Sequence, residues 1–205
     1  MNLPSFLIAK YSRNDAAFQA ASISVEELLT PLTGRRIALI GNARALAEGE
    51  YGTEIDAADL VIRINAAPIP SVRSHGSRTD WLGLAVRMPA ARHRFLGHPR
   101  LLWMSPRLQR ISWRVVSQPD FYRHPLARHA ALRAKLGTGP TTGIMLIDLL
   151  ADSPLAELRL YGFDFFASLS LSGPRTAADV GHNFEGEAEF VADLTKRDPR
   201  IIHRR

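Results

Sequence analysis

Short apolar runs bounded by glycine or polar residues set the rhythm of this chain. Arg36-Ile37-Ala38-Leu39-Ile40 lies between Gly34 and Gly41, and Leu60-Val61-Ile62-Arg63-Ile64 repeats the pattern. Runs of this kind, which do not alternate with polar residues, predict strands buried on both faces, as in a parallel sheet covered by helices. Further strands are predicted over residues 81–86, 101–104, 113–117 and 158–161. Apolar residues spaced by three and four predict helices over 126–136, 142–151 and 184–194. Serine at 24 followed by glutamate at 27 reads as a capping box, opening a short helix that ends near Pro31.

Strands alternating with helices predict an α/β fold: a single Rossmann-like domain with a mostly parallel central sheet flanked by helices. No internal repeat or low-complexity tract breaks it up. The segment from Ser168 to Gly181, rich in glycine, serine and proline, is the longest predicted loop, of the kind that forms lids or binding loops.

Composition narrows the classes. At 205 residues and 46% hydrophobic, the chain fits one domain with one substantial core. Without cysteine it has neither a disulfide framework nor a thiolate metal site. No stretch approaches the roughly 18 uninterrupted apolar residues of a membrane-spanning helix, and residues 1–13 are too short and mixed for a secretory leader, so a cytoplasmic location is expected. The net charge is +6, and from Arg87 to Lys135 eleven Arg or Lys residues face one acid, Asp120. Such a segment suits nucleic acid, an anionic membrane surface or an acidic sugar polymer, and charge by itself does not choose among these and a plain solvated surface.

Ligands of open α/β sheets sit at the carboxyl ends of the strands. Three of those ends are informative: Gly41-Asn42, Asn65-Ala66-Ala67-Pro68 and Gly162-Phe163-Asp164. Glycine lets backbone N–H groups approach a ligand, and asparagine offers a donor and an acceptor without charge. Asn42 and Asn65 therefore suit a ribose phosphate, although turn capping explains two such residues as well.

The wider sequence adds a resemblance. Ile37-Ala38-Leu39-Ile40-Gly41-Asn42, Tyr51-Gly52, Glu54-Ile55-Asp56, Ala58 through Pro68 and Gly76-Ser77-Arg78-Thr79 together resemble the large motif of the eukaryotic-like sialyltransferases, glycosyltransferase family 29. Pro140-Thr141-Thr142-Gly143, with Tyr161-Gly162-Phe163 further on, is similar to that family's small motif. His182, followed five residues later by Glu187, is similar to its very small motif. The chain would be a compact, bacterial-type member with a variant GT-A fold. The resemblance implies that Asn42, Asn65, Thr141, Thr142 and Gly143 bind a CMP-activated donor, with Gly41, Phe163 and Asp164 beside it, and that His182 is the general base. It divides the domain into a helical extension (1–33), a large-motif donor half (34–86), a basic acceptor-side segment (87–139) and a half carrying the other two motifs (140–205).

Residue chemistry agrees with these roles. A helix opening at Thr141 or Thr142 offers unsatisfied N–H groups and a positive dipole end to the single phosphate of CMP. With no aspartate-any-aspartate motif present, neither a metal nor another cofactor is expected. An imidazole accepts a proton readily near neutral pH, as an attacking sugar hydroxyl requires. The expected reaction is a metal-independent, inverting transfer of sialic acid from CMP to a glycan hydroxyl. The partners are a CMP-sugar donor and a glycan acceptor with acidic groups for the arginines; nucleic acid is not expected, and peripheral contact with a membrane surface is compatible with the charge.

Three departures mark the sequence: Ile37 stands where secretory members have a cysteine, residues 164–181 contain neither the histidine nor the tyrosine of a further family motif, and Asp164 replaces a glycine. They leave a CMP-Kdo-dependent transferase and a catalytically silent CMP-binding module as alternatives. The remaining histidines, at 75, 93, 98, 124, 129 and 203, are expected at the surface without a role.

Overall fold

The computed structural model describes residues 1–165, 167–168, 171 and 181–204. Of the loop expected over 168–181, only residues 168, 171 and 181 are therefore described. Seven strands form one sheet: β1 (Arg36–Ile40), β2 (Leu60–Ile64), β3 (Trp81–Leu84), β4 (Arg100–Trp103), β5 (Tyr122–Arg123), β6 (Glu157–Tyr161) and β7 (Ile201–Arg204). Their order is β5-β4-β3-β2-β1-β6-β7, and every pairing is parallel. The expectation of a mostly parallel sheet thus becomes an entirely parallel one among the described residues.

Helices cover both faces, which is why the strands read as continuous apolar runs. On one side Ile37, Leu39, Leu60, Ile62, Leu102, Leu158 and Leu160 pack against α3 (Val25–Leu29), α8 (Leu126–Leu136), α9 (Thr142–Ala151) and α10 (Phe184–Arg197). On the other, Ala38, Ile40, Val61 and Tyr161 meet Ile55 of α4 (Gly52–Asp56). Leu82, Leu84, Leu101 and Trp103 continue that face beneath α1 (Leu3–Tyr11), α2 (Asp15–Ala20) and α7 (Trp113–Val116). Successive residues of a strand enter opposite cores, as the period of two demands.

The predicted bounds hold at β1, β2, α8 and α9, and the Ser24–Glu27 capping box is formed. The strand expected over 113–117 is instead the helix α7, with Val115 and Val116 both buried. Five residues are too few for periodicity to separate the two states, and two adjacent valines inside one core do not fit an alternating strand. The sheet is extended instead by β5, only two residues long, and by the edge strand β7. The weak periodicity before Ser24 hides α1 and α2. The remaining helices are α5 (Val72–His75) and α6 (Ala90–Phe95).

Two features of this architecture position a site. The sheet grows from β1 through β5 in one direction, while β6 and β7 lie on the other side of β1. The switch point therefore falls between β1 and β6, and ligands of open α/β sheets bind outside the carboxyl ends at such a point. α9 is apolar almost all round, with eight of its ten residues buried. At roughly 1.5–3 kcal/mol for each large apolar side chain buried, that packing outweighs anything its short length loses in helix propensity. Gly83 in β3 lets α9 come close, since a Cβ there would lie 2.6 Å from the Leu146 side chain.

Candidate functional site

The carboxyl ends of β1 and β6 run into near contact. Gly41 N–H donates to the Tyr161 carbonyl (2.8 Å) and Ala43 N–H to that of Gly162 (3.2 Å). A Cβ on Gly41 would sit 2.2 Å from the Gly162 carbonyl oxygen, so neither chain can move aside without breaking the crossing. Gly162 has φ +68°, a conformation that costs glycine nothing and other residues strain. Gly41→Ala is accordingly expected to cost about 1–3 kcal/mol, the usual penalty of forced overpacking. An unchanged denaturant midpoint for this variant would contradict that account.

Asn42 follows directly, half-buried, its carbonyl accepting from Leu171 N–H at 2.8 Å. Asn65 sits at φ +50°, and its side-chain amide joins three elements. Its Oδ1 accepts from Ala85 N–H after β3 (2.9 Å), and its Nδ2 donates to Thr142 Oγ1 at the start of α9 (3.3 Å). Asparagine tolerates this left-handed backbone better than most residues and has both atoms needed for the bridge.

Thr141 is the N-cap of α9, its Oγ1 accepting from Ile144 N–H at 3.2 Å. Helix geometry leaves the N–H groups of Thr142 and Gly143 without an intrahelical acceptor. Phe163 closes the gap to β1: a Cβ on Gly143 would meet its ring at 2.6 Å, and one on Gly41 at 3.3 Å. The Asp164 carboxylate accepts from Ser168 N–H at 2.7 Å and from the Ser168 hydroxyl, so it is engaged in its own turn.

Glu187 and His182 reach the same place from α10. Glu187 is buried, with Oε1 accepting from Thr141 N–H (2.7 Å) and Oε2 from Thr141 Oγ–H (2.9 Å). Burial pushes its carboxyl up to about 7, partly opposed by these two hydrogen bonds. Asn183 caps α10 and ties it to the α8–α9 loop, its N–H donating to Thr138 Oγ1 (3.0 Å) and its Nδ2 to the Leu136 carbonyl (3.0 Å). Half-buried His182 places Nδ1 2.6 Å from the Gly139 carbonyl oxygen. A carbonyl can only accept, so Nδ1 carries the proton and Nε2 of the neutral ring keeps its lone pair.

The sequence-derived residues thus form a chain of contacts. His182 holds the α8–α9 loop, the loop's Thr141 and Thr142 meet Glu187 and Asn65, and Gly143 meets Phe163 against Gly41. His203, expected at the surface without a role, in fact braces this site: its Nε2 lies 2.6 Å from the Phe163 carbonyl. No sequence signal marked it, because β7 itself was not predicted. Also contrary to expectation, His75, His93 and His124 are buried; burial, with Arg63 nearby, lowers His75 to about 4, and burial, with Arg128 and His129 nearby, lowers His124 to about 3.

Much of the remaining large-motif sequence is a structural latch. The Asp56 carboxylate accepts from Ser77 N–H, Ser77 Oγ–H and Arg78 N–H (2.8–3.0 Å). Arg63, fully buried, donates to the carbonyls of Arg78 (3.0 Å) and His75 (2.6 Å) and to Thr79 Oγ1 (3.1 Å). Glu54 accepts from Arg159 (2.5 Å) and Arg204 (2.9 Å), binding α4 to β6 and β7.

The basic segment divides in the same way. Arg100 pairs with Asp120, Arg128 with Asp148 and Asp152, and buried Arg123 with Asp15. Arg92 donates to the Ala66 and Ala67 carbonyls. An open pocket of about 640 Å³ lies beside Asn65, lined by apolar residues that include Pro68, Ile69, Met88 and Pro89, with Arg87 and Arg92 at its wall.

A parallel sheet with a topological switch point, and with a helix N-terminus and Asn65 meeting at the carboxyl ends of its strands, is the architecture of a ligand-binding open α/β protein. Residues 10–92 match the model of glycosyltransferase family 29 (sialyltransferase), a span that includes Asn42 and Asn65 and stops before Thr141 and His182. The chain is similar in structure to a mammalian sialyltransferase in complex with Gal-beta-1-3GalNAc-ortho-nitrophenol, at TM-score 0.63 and 18% identity, covering 98% of this chain and 84% of that one. It is similar also to a second mammalian sialyltransferase structure, at TM-score 0.62 and 18% identity, covering 100% and 86%. No curated protein sequence matches. The family match thus covers less than half of the chain, and the fold is that of the sialyltransferases. The family match over residues 10–92 and the fold together support a glycosyltransferase that uses a CMP-activated sugar and a glycan acceptor.

Proposed function

We propose that the protein moves sialic acid from CMP-sialic acid to a glycan hydroxyl by a single inverting displacement without a metal. The observation that carries this reading is the chain of contacts that joins the α9 N-terminus to Asn65 and, through the α8–α9 loop, to His182. The N–H groups of Thr142 and Gly143, with the positive end of the α9 dipole, meet the phosphate of CMP as its charge develops. Asn42 and Asn65 flank the nucleotide at the ends of β1 and β2. The Nδ1–H bond from His182 to the Gly139 carbonyl leaves Nε2 to take the proton of the attacking hydroxyl, which opens the face opposite the departing CMP to attack.

Among the described residues no group of three or more His, Cys, Asp or Glu side chains could hold a metal ion. In this reading the phosphate contacts fall to the helix N-terminus. The acceptor enters by the pocket beside Asn65. Arg92 is occupied there by the Ala66 and Ala67 carbonyls, whereas Arg87 is exposed and meets an acidic group of the acceptor. Asp164, held by Ser168, does not turn its charge toward the donor's carboxylate.

Calorimetric titration of CMP in the presence of EDTA, with CDP and UDP-sugars as controls, tests the donor site. Wild type is expected to bind CMP selectively, and Asn42→Ala to weaken it at least about tenfold, as befits losing a hydrogen bond to a charged group. Equal affinity for CDP, or a need for divalent ions, would remove the reading. Turnover of CMP-Kdo in place of CMP-sialic acid would change the sugar and leave the mechanism.

A further inference from the structure

The nine-residue helix α1 is apolar on two sides. Phe6 and Ala9 are buried in the core beneath it. Leu3, Leu7 and Tyr11, spaced by four, share the outward side with Ile8, which is 71% exposed; Tyr11 is 83% exposed. A surface helix with this pattern has one apolar face without a partner among the described residues.

The surroundings of that face carry one sign of charge. α1 packs against α7 and against the turn Leu108–Arg110, and Lys10 Nζ donates to the Ile111 carbonyl at 2.7 Å. Arg13, Arg107, Arg110 and Arg114 are all exposed there. Residues 1–14 and 81–119 contain no aspartate or glutamate. The flanking acids are spent: Asp15 pairs with Arg123, and Asp120 with Arg100.

We propose that α1 is an interfacial helix whose Leu3, Leu7, Ile8 and Tyr11 face enters the surface of an anionic lipid bilayer, with Arg13, Arg107, Arg110 and Arg114 on lipid phosphates. Apolar and cationic groups side by side fit a lipid surface, which offers both an acyl phase and negative headgroups. Nucleic acid offers charge and base faces for stacking but no acyl phase for leucine and isoleucine. A second copy of this chain would bring its own arginines against these. The proposal does not depend on the sugar-transfer reading.

Sedimentation of the full chain with vesicles tests it, using phosphatidylcholine alone and phosphatidylcholine mixed with phosphatidylglycerol. Wild type is expected to partition onto the mixed vesicles, less so at high salt, and not onto phosphatidylcholine. Ile8→Ser combined with Tyr11→Ser should lower partition at least about tenfold by removing two insertable side chains. Arg110→Glu combined with Arg114→Glu should do so to a similar degree, since each basic residue near an anionic surface contributes about fivefold. All four positions are solvent-facing or half-buried, and melting curves check that both variants stay folded. Absence of binding to the mixed vesicles would overturn the proposal. So would binding indifferent to Ile8→Ser and Tyr11→Ser, or self-association without lipid that those substitutions abolish.

Discussion

His182→Ala is expected to lower turnover of a CMP-activated sialyl donor by about 10²–10⁴-fold, the usual range for a general base, or roughly 3–5 kcal/mol of barrier. CMP affinity should be largely retained. The separation follows from geometry. His182 reaches the site through the Gly139 carbonyl, on the α8–α9 loop, while the groups assigned to the nucleotide stand at the ends of β1 and β2 and on α9. The Nδ1–H donation fixes the tautomer, so Nε2 alone is placed to accept a proton. Removing the ring takes away that acceptor without touching Asn42 or Asn65. Steady-state kinetics beside calorimetry reads both effects. Unchanged kcat would mean that another group takes the proton, and lost CMP affinity would mean that His182 organises the donor site instead.

Glu187 carries the second large effect, on stability as a function of pH. Burial raises its carboxyl from 4.5 to about 7. Between those values the folded chain holds a proton at Glu187 that the unfolded chain has released. The group's contribution is therefore complete below pH 4.5 and is lost as pH rises through about 7, a change of about 3 kcal/mol. His75 and His124 act in the opposite sense, because their folded forms stay neutral while the unfolded histidines gain protons as pH falls below about 6.5. The clean observable is consequently the gap between wild type and Glu187→Gln. Glutamine keeps an acceptor for Thr141 N–H and does not titrate. Urea unfolding at pH 5 and pH 8 should show the variant gaining about 3 kcal/mol relative to wild type across that interval. A constant gap would show that the carboxylate is not held in a desolvated site. Glu187→Ala, which leaves Thr141 N–H buried without an acceptor, should be less stable than Glu187→Gln by about 1–3 kcal/mol at both pH values.

Glu187 also shows where reading the chain in one dimension stops. Its spacing from His182 places it in a motif without saying what its side chain does. The tertiary contact with Thr141, 46 positions away, makes it a positioning residue for the α9 N-terminus. The same is true of Asp56, Arg63 and the 76–79 segment. They belong to the block that carried the family resemblance, yet their side chains hold one another and the adjoining backbone in place.

By itself the sequence determined the elements whose burial is nearly complete. β1, β2 and α9 were legible to the residue as nearly continuous apolar runs, and α8, mostly exposed, by the four-residue spacing of its buried Leu132 and Leu136. The glycine and asparagine residues after β1 and β2 were legible too, since close backbone approach admits few alternatives to glycine. Tertiary structure decided the rest. A five-residue segment with two adjacent valines became α7 through the core it met, and β5 and β7 formed by pairing at the sheet edges, where two to four residues carry no period of their own. It also decided which charges remain available. Arg92, Arg100, Arg123 and Arg128 read in sequence as one basic segment; in three dimensions their guanidinium groups are committed to carbonyls and carboxylates far along the chain, and only folding brings those partners within reach.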